Sequence, residues 1–396
     1  CFEADKVHGL NRVSESITIA TLPDKTAGEA GQLVATLKII PFFVAETDLV
    51  RALSLAEEVT LRLRSWSTSA RVALIQTTMP SLPEKVYEKG LKIQADRLAN
   101  YGLSLTQSYK VDHELSKLSQ MIVDRPTIAI GFGGYPSIPA LSAATILRTP
   151  RMAHEQNGVL GRVNQLFAPV VNAVACGTWP TEMSDKMSGH HVGNPVRAAI
   201  AERAGAGYIP PGDYPMSILV LGGSQGARVL SDVVPPAIAG LPMSMLCHIR
   251  VSHQARPEDH DRVEAYYADQ NITADVRPFF NDIPTRMSEA QLVISRAGAS
   301  TLADISVIGR PSILVPLTMA IRDEQSANAM VLVKAVSAEL IREPDFQVEH
   351  LTTRIEAIFN DPARASQMAS AALKTSVPDA TLRLMDLIQT LIKKDT

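Results

Sequence analysis

From residue 127 onward the chain alternates short apolar runs with longer amphipathic stretches. TIAIGF (127–132), AVACGTW (173–179), SILVLGG (217–223), LCHIRVS (246–252), LVISRAG (292–298) and SILVPL (312–317) are apolar and rich in β-branched residues. Runs of this kind, bounded by glycines or polar residues, read as buried parallel strands. RMAHE, just before Gln156, reads as one more. Between them GARVLSDVVPPAIAGL and STLADISVIG read as helices. Strand–helix–strand alternation predicts doubly wound α/β domains, which bind ligands at the carboxyl ends of their strands. The Gly/Pro-rich stretch inside GNPVRAAIAERAGAGYIPPGDYPMS (193–217) predicts a hinge near 197–215, joining two α/β halves across a cleft. The last helix, ATLRLMDLIQTLIKK (380–394), is expected to bury its apolar face on the first half. In the first 125 residues, SITIATL reads as a strand, and 46–66 and 83–102 as amphipathic helices.

A length of 396 residues exceeds one ordinary core and fits two such domains. An apolar fraction of 46% with 20% charged residues is that of a soluble globular protein. The net charge of −3 gives no support to nucleic-acid binding. Cys1, Cys176 and Cys247 lie far apart with no metal-ligand spacing, which predicts free thiols in a reducing compartment. The start lacks a signal-peptide apolar region, and LVATLKIIPFFVA (33–45) is too short for a span and carries Lys38 and Pro41. The expectation is a cytosolic protein that touches a membrane without crossing it.

Several segments carry groups suited to chemistry. In SILVLGGSQGARVL a strand runs into Gly222, Gly223, Ser224, Gln225 and Gly226, and a helix follows at once. Its first N–H groups form an anion site that the glycines let a phosphate approach. The plainer reading is a turn that only packs strand on helix. VISRAGASTLADIS repeats the device, with Gly298 before Ala299, Thr301 in the first turn and Asp304 one turn in. Two such entrances in one domain suggest a nucleoside diphosphate, and Asp304 suits ribose hydroxyls. Phe279 or Phe280 can flank a base or fill a core. Asp323, Glu324, Gln325 and Asn328 suit sugar hydroxyls or a solvated helix start, and Arg197 suits a phosphate across the cleft. Gly133 and Gly134, beside Tyr135, make another close-approach loop. After the next strand come His154, Glu155, Gln156 and Asn157, where Glu155 is the candidate general base and His154 its rival.

In order, GFGGYPS, HEQNGVLGRVN, HVGNPVR, LGGSQGARVL, SHQARPED, PFFNDIP, SRAGAST and DEQSANA resemble the MurG family, the undecaprenyldiphospho-muramoylpentapeptide β-N-acetylglucosaminyltransferases of peptidoglycan synthesis. The resemblance runs from about residue 126 to about 390. The resemblance implies a GT-B fold, two Rossmann-like domains facing a cleft: residues 1–197 on the acceptor and membrane side, 198–377 on the donor side, and helix 378–396 returning to the first. It implies that UDP-GlcNAc is bound by Asn157, Arg197, Ser224, Gln225, Phe280, Ile283, Ala299, Thr301, Asp304 and Gln325. Asp304 stands where many members carry Glu. The acceptor diphosphate falls to Gly133, Gly134 and Tyr135, with Asn157 shared and Glu155 as base. The implied reaction is inverting transfer of GlcNAc to the MurNAc 4-hydroxyl of lipid I at the inner face of the cytoplasmic membrane. Neither metal nor cofactor is implied, nucleic acid is not a partner, and other cell-wall synthesis proteins are expected partners. A basic face of Lys85, Lys89, Lys92 and Arg97 is either a membrane contact or a solvated surface. The family's first loop, GGTGGH, does not occur in 1–125, so it is expected upstream of Cys1 or replaced. Its absence keeps two alternatives open: a catalytically impaired UDP-sugar-binding protein, and a UDP-GlcNAc 2-epimerase of the same fold.

Overall fold

The computed structural model describes residues 4–14, 17–21, 35–39, 45–57, 72–78, 83–99, 103–112, 114, 127–184, 187–223, 226–317 and 323–393. The chain forms two compact units, Cys1–Gln76 with Pro80–Lys110, and Thr77–Met79 with Val111–Thr396. In the first, helix α1 (Ala4–Asn11) leads into strands β1 (Ile17–Thr21) and β2 (Ala35–Ile39), which pair antiparallel. Helix α2 (Glu46–Ala56), strand β3 (Val72–Thr78), helix α3 (Glu84–Ala99) and strand β4 (Leu105–Asp112) follow, and β3 pairs with β4. Leu10, Ile17 and Ala52 form a small core here. The helix expected over 46–66 ends at Ala56, and 58–71 lie outside the described residues. On α3, Tyr87 is buried while Lys85, Lys89, Lys92 and Arg97 are exposed.

Both α/β layers anticipated on either side of residue 197 lie within the second unit. The first lobe holds β5 (Ala129–Gly131), α4 (Ser137–Ile146), β6 (Arg151–Glu155), α5 (Arg162–Phe167), β7 (Ala173–Cys176) and β8 (Gly189–His191). Its four strands are parallel and ordered as in the sequence. After α6 (Ala198–Ala201), the second lobe runs β9 (Met216–Leu221), α7 (Arg228–Ala239), α8 (Met243–Leu246), β10 (Ile249–Gln254), α9 (Pro257–Asp269), β11 (Thr273–Arg277), α10 (Ile283–Glu289) and β12 (Leu292–Ser295). It continues through α11 (Ala299–Ile308), β13 (Ser312–Leu314), α12 (Glu324–Lys334), β14 (Ala338–Leu340), α13 (Val348–Phe359) and α14 (Pro362–Thr375). The last helix, α15 (Ala380–Lys393), leaves this lobe and sets Leu384 and Leu391 against Met152, Ala173, Ala175 and Val192 of the first.

The six-stranded sheet has the order β11-β10-β9-β12-β13-β14, all parallel. Side chains alternate across it with period two, as a strand requires. Ile218, Val220 and Ile294 join one core with α7, α9, α13 and α14, while Leu219, Leu221 and Val293 join the other with α10, α11 and α12. Burying each such side chain contributes about 1.5–3 kcal/mol. One polar group knots the hinge to this core. Arg310, 1% exposed, donates to the carbonyls of Ala206, Gly207, Met287, Ser288, Ile308 and Gly309. A guanidinium with its donors satisfied by carbonyls fixes three chain ends at once.

His253 is fully buried on β10, with Nδ1 3.0 Å from the Tyr267 hydroxyl. Burial first, then Arg262, pushes its pKa down to about 3. The folded value lies below the unfolded one of about 6.5, so the unfolded chain binds the extra proton. Stability is therefore complete above the unfolded value and declines as pH falls toward the folded one. From pH 7 to pH 5, this histidine alone removes about 2 kcal/mol. Urea midpoints at those two pH values should show that much less change in His253→Phe than in the parent chain, and equal changes would refute the assignment.

Candidate active site

The order in which the chain lays down its strands reverses between β9 and β12. From β9 the chain winds outward through β10 and β11, and from β12 through β13 and β14. A crevice forms at such a switch point, outside the carboxyl ends of the strands. Pairing of Leu292 with Ile218 through Ser295 with Leu221 puts the two following loops side by side. The Arg296 N–H donates to the Leu221 carbonyl at 3.2 Å. At Gly222 the loop folds so tightly that a Cβ would lie 2.3 Å from the Ala227 nitrogen. Gln254 braces this loop by donating to the carbonyls of Gly223 at 3.0 Å and Pro278 at 3.3 Å. The N-cap residues of α7 and α11 are Ala227 and Gly298, and neither supplies a side-chain cap. First-turn N–H groups at both entrances thus gain nothing from the cap position, a suitable arrangement for a diphosphate. Ser224 and Gln225, expected in the first entrance, lie outside the described residues.

Around this crevice the expected donor residues divide. Ala299 is buried and Thr301 half-buried in the first turn of α11. Asp304, 9% exposed, accepts from Arg197 at 3.1 Å. Burial pushes its carboxyl above the usual range, and Arg197 pulls it partway back. The two residues expected on separate parts of the ligand are therefore bonded to one another. Phe280 is corrected: its ring is buried under the Arg286 guanidinium at 4.2 Å, and Arg286 is held by Ser252, Asp275 and Asp282. The neighbouring ring, Phe279, is 63% exposed. Ile283, half-buried, opens α10 beside them. Gln325 spends its amide oxygen on the backbone N–H groups of Ala297 at 3.2 Å and Leu317 at 3.0 Å.

On the first lobe, Gly133 and Gly134 have φ of +80° and +71°, the left-handed region that favours glycine. They carry the chain from β5 into α4, where the Ser137 hydroxyl donates to the Gly133 carbonyl at 2.8 Å. Tyr135 projects from the same turn, 71% exposed. The Phe132 ring lies 5.3 Å from that of His154, which is buried in the wall. Burial lowers the pKa of His154 most strongly, with Glu155 opposing.

Glu155, expected as the base from its place after a strand, is engaged by its own loop. The residue is 3% exposed and accepts four hydrogen bonds. Oε1 takes the Asn157 N–H at 3.0 Å and its side-chain amide at 3.2 Å, while Oε2 takes the Gly161 N–H and the Asn164 amide, each at 2.8 Å. A carboxylate has about four acceptor positions, and these donors fill them. These bonds draw residues 155–164 into one loop.

The sequence pattern offered Asn328 only as a sugar ligand or a solvated residue, and the structure makes it the bolt between lobes. Asn328 is 1% exposed, accepts from the Gly158 N–H at 2.8 Å, and donates to Asn157 Oδ1 at 3.0 Å and the Ala297 carbonyl at 3.2 Å. Ala297 immediately precedes the α11 entrance, so a continuous chain of hydrogen bonds runs from that entrance through Asn328 and Asn157 to Glu155. Glu324, at the start of the same helix, has its carboxyl pushed above the usual range by burial and then by Glu155. An asparagine three residues after Gln325, ahead of the apolar AMVLV, was the available sign that this helix face is buried.

Comparison with known proteins places this geometry. The glycosyltransferase family 28 C-terminal domain matches residues 217–384, and the family 28 N-terminal domain matches 96–176. The likeness thus begins earlier than the motifs from 126 onward. The UDP-N-acetylglucosamine--N-acetylmuramyl-(pentapeptide) pyrophosphoryl-undecaprenol N-acetylglucosamine transferase of Phenylobacterium zucineum is 44% identical over 269 residues, 67% of this chain and 73% of that protein. The transferase of the same name from Chelativorans sp. is 38% identical over 359 residues, covering 88% and 93%. The crystal structure of Acinetobacter baumannii MurG superposes with a TM-score of 0.63 at 26% identity, over 81% of this chain and all (100%) of that one. A UDP-GlcNAc 2-epimerase from Neisseria meningitidis shares the fold at a TM-score of 0.51 and 11% identity, over 81% and 100%. With its two parallel-sheet lobes in the GT-B arrangement, this chain belongs to glycosyltransferase family 28, among the MurG N-acetylglucosaminyltransferases.

Proposed function

We propose that the chain transfers GlcNAc from UDP-GlcNAc to the 4-hydroxyl of undecaprenyl-pyrophosphoryl-MurNAc-pentapeptide, with inversion. The observation that carries this is the adjacency of the two uncapped helix entrances, after Leu221 and Ser295, at the sheet's switch point. Their first-turn amides would hold the pyrophosphate of UDP, and Phe279 would cover the base. The acceptor hydroxyl attacks the anomeric carbon as the bond to the departing phosphate oxygen breaks, and the hydroxyl proton is given up to water. Charge then gathers on that phosphate. Fixed amide dipoles meet it without reorganisation, and Arg197 adds a cation with donors to spare beyond the one on Asp304. This electrostatic arrangement assigns no role to a metal.

The loop braced by Glu155 and the turn at Gly133–Tyr135 would seat the lipid pyrophosphate and MurNAc. Among the described residues no helix is long and apolar enough to cross a membrane. The lipid acceptor therefore calls for peripheral contact with the inner face of the cell membrane, for which the exposed lysines of α3 are one candidate.

Calorimetry with UDP and a turnover assay with a short-chain lipid I analogue test the proposal together. Saturable UDP binding with transfer only when both substrates are present is the expected outcome. Absence of UDP uptake refutes the donor site. Binding without transfer leaves an impaired sugar-nucleotide-binding protein, and a product from UDP-GlcNAc alone indicates an epimerase.

A further inference from the structure

The chain passes from the first lobe to the second near residue 194 and returns near 377. Between these crossings lies a cavity of about 370 Å³ that donor and acceptor residues do not explain. It shares Ala299 and Asn328 with the donor entrance, but otherwise runs along a different side of α11. Ala303 and Ser306 line it, whereas Thr301 and Asp304 do not. Its volume is in the range of small-molecule sites.

The lining chemistry selects a ligand class. Lys374 and Arg383 supply positive charge, and among the described residues no aspartate or glutamate lines the cavity. Arg383 turns its Nε toward Asp379 at 3.0 Å, leaving the rest of its guanidinium fork beyond that contact. Trp179, 42% exposed, stacks on His191 with ring centroids 5.7 Å apart and planes 19° from parallel, forming a flat aromatic wall. Asn194 donates its amide to the Gln156 carbonyl at 2.9 Å, and its Oδ1, closed off from solvent, packs on Gly177, where a Cβ would lie 1.9 Å from it. We propose that this cavity is a second ligand site, separate from the donor crevice, for a planar organic anion.

The chain has two tryptophans, and Trp66→Phe leaves Trp179 as the single reporter. Protein carrying 5-fluorotryptophan is titrated with 4-aminobenzoate while the fluorine resonance of Trp179 is followed. A saturable shift is expected, persisting when UDP is present at saturation. The neutral 4-aminobenzamide, of the same shape, should bind about tenfold more weakly for want of the charge-assisted contacts. Ala303→Leu, which fills the cavity, should abolish the shift, and Lys374→Ala should weaken it about tenfold. The amide comparison needs no substitution in the cavity, so it stands whether or not those variants fold. No saturable shift, displacement by UDP, or equal affinity for acid and amide would overturn the proposal. Failure of UDP to bind would refute the donor site and leave this titration unaffected.

Discussion

Replacing Asn328 with leucine lowers kcat/KM for the lipid-linked acceptor by about 10²–10³-fold, an effect of about 3–4 kcal/mol. The leucine is close in volume but cannot pair with any of the three groups Asn328 joins. The Gly158 N–H, Asn157 Oδ1 and Ala297 carbonyl each lose a partner in a buried place. Such losses cost about 1–3 kcal/mol apiece where water cannot replace the bond. Part of that cost falls on stability, and the melting temperature should drop by several degrees, about 2–4 °C for each kcal/mol. The rest falls on catalysis, because Asn328 fixes the acceptor loop relative to the α11 entrance. A double-mutant cycle with Asn157→Ala separates the two. If the pair acts through its shared hydrogen bond, the effects on kcat/KM fall short of additive by about 1 kcal/mol or more. Activity within about threefold of the parent, or additive effects, would mean that the lobes are positioned by other contacts.

What the sequence made legible follows the physics of burial. Central parallel strands are covered on both faces and need unbroken apolar runs, so β6, β7, β9, β10, β12 and β13 stood out, and β5 did so at an edge. The other edge strands did not. β8 is Gly189–His191 with two exposed histidines, and β14 is the short Ala338–Leu340, so neither carries a run to recognise. Glycine entrances at 222–226 and 298 were legible because close backbone approach tolerates few other residues. Phe279 and Phe280 were not separable, since one step at the end of a strand exchanges the buried ring for the exposed one. Asn328 resembled a helix-start residue, and only the fold brings Gly158 to it across 170 positions. The Arg197–Asp304 pair spans 107 positions and was equally hidden. In the first 125 residues the motifs fall silent, although a family match already begins at residue 96.

Glu155 carries two roles to be told apart, a base facing the cleft and a brace of its own loop. A carboxylate at the carboxyl end of β6 suggests a base facing the cleft, but Gly161 and Asn164 fold back to saturate it. Glu155→Gln distinguishes the two roles. Glutamine keeps one oxygen and presents an NH2 group where the second oxygen stood. In one orientation that NH2 faces the Gly161 N–H and the Asn164 amide, and in the other it faces the two donors of Asn157. Two donor–donor conflicts in a buried loop cost about 2–4 kcal/mol, which should appear as a melting temperature lower by roughly 4–16 °C. Displacement of Asn157 and of the Gly133 turn, which touches Asn164, should lower kcat/KM by about 10²-fold. The diagnostic quantity is the pH profile of the activity that remains. A bracing carboxylate leaves its acidic limb where the parent has it, because the group that titrates in catalysis is still present. Were Glu155 the base, the glutamine variant would retain its stability and lose that limb altogether.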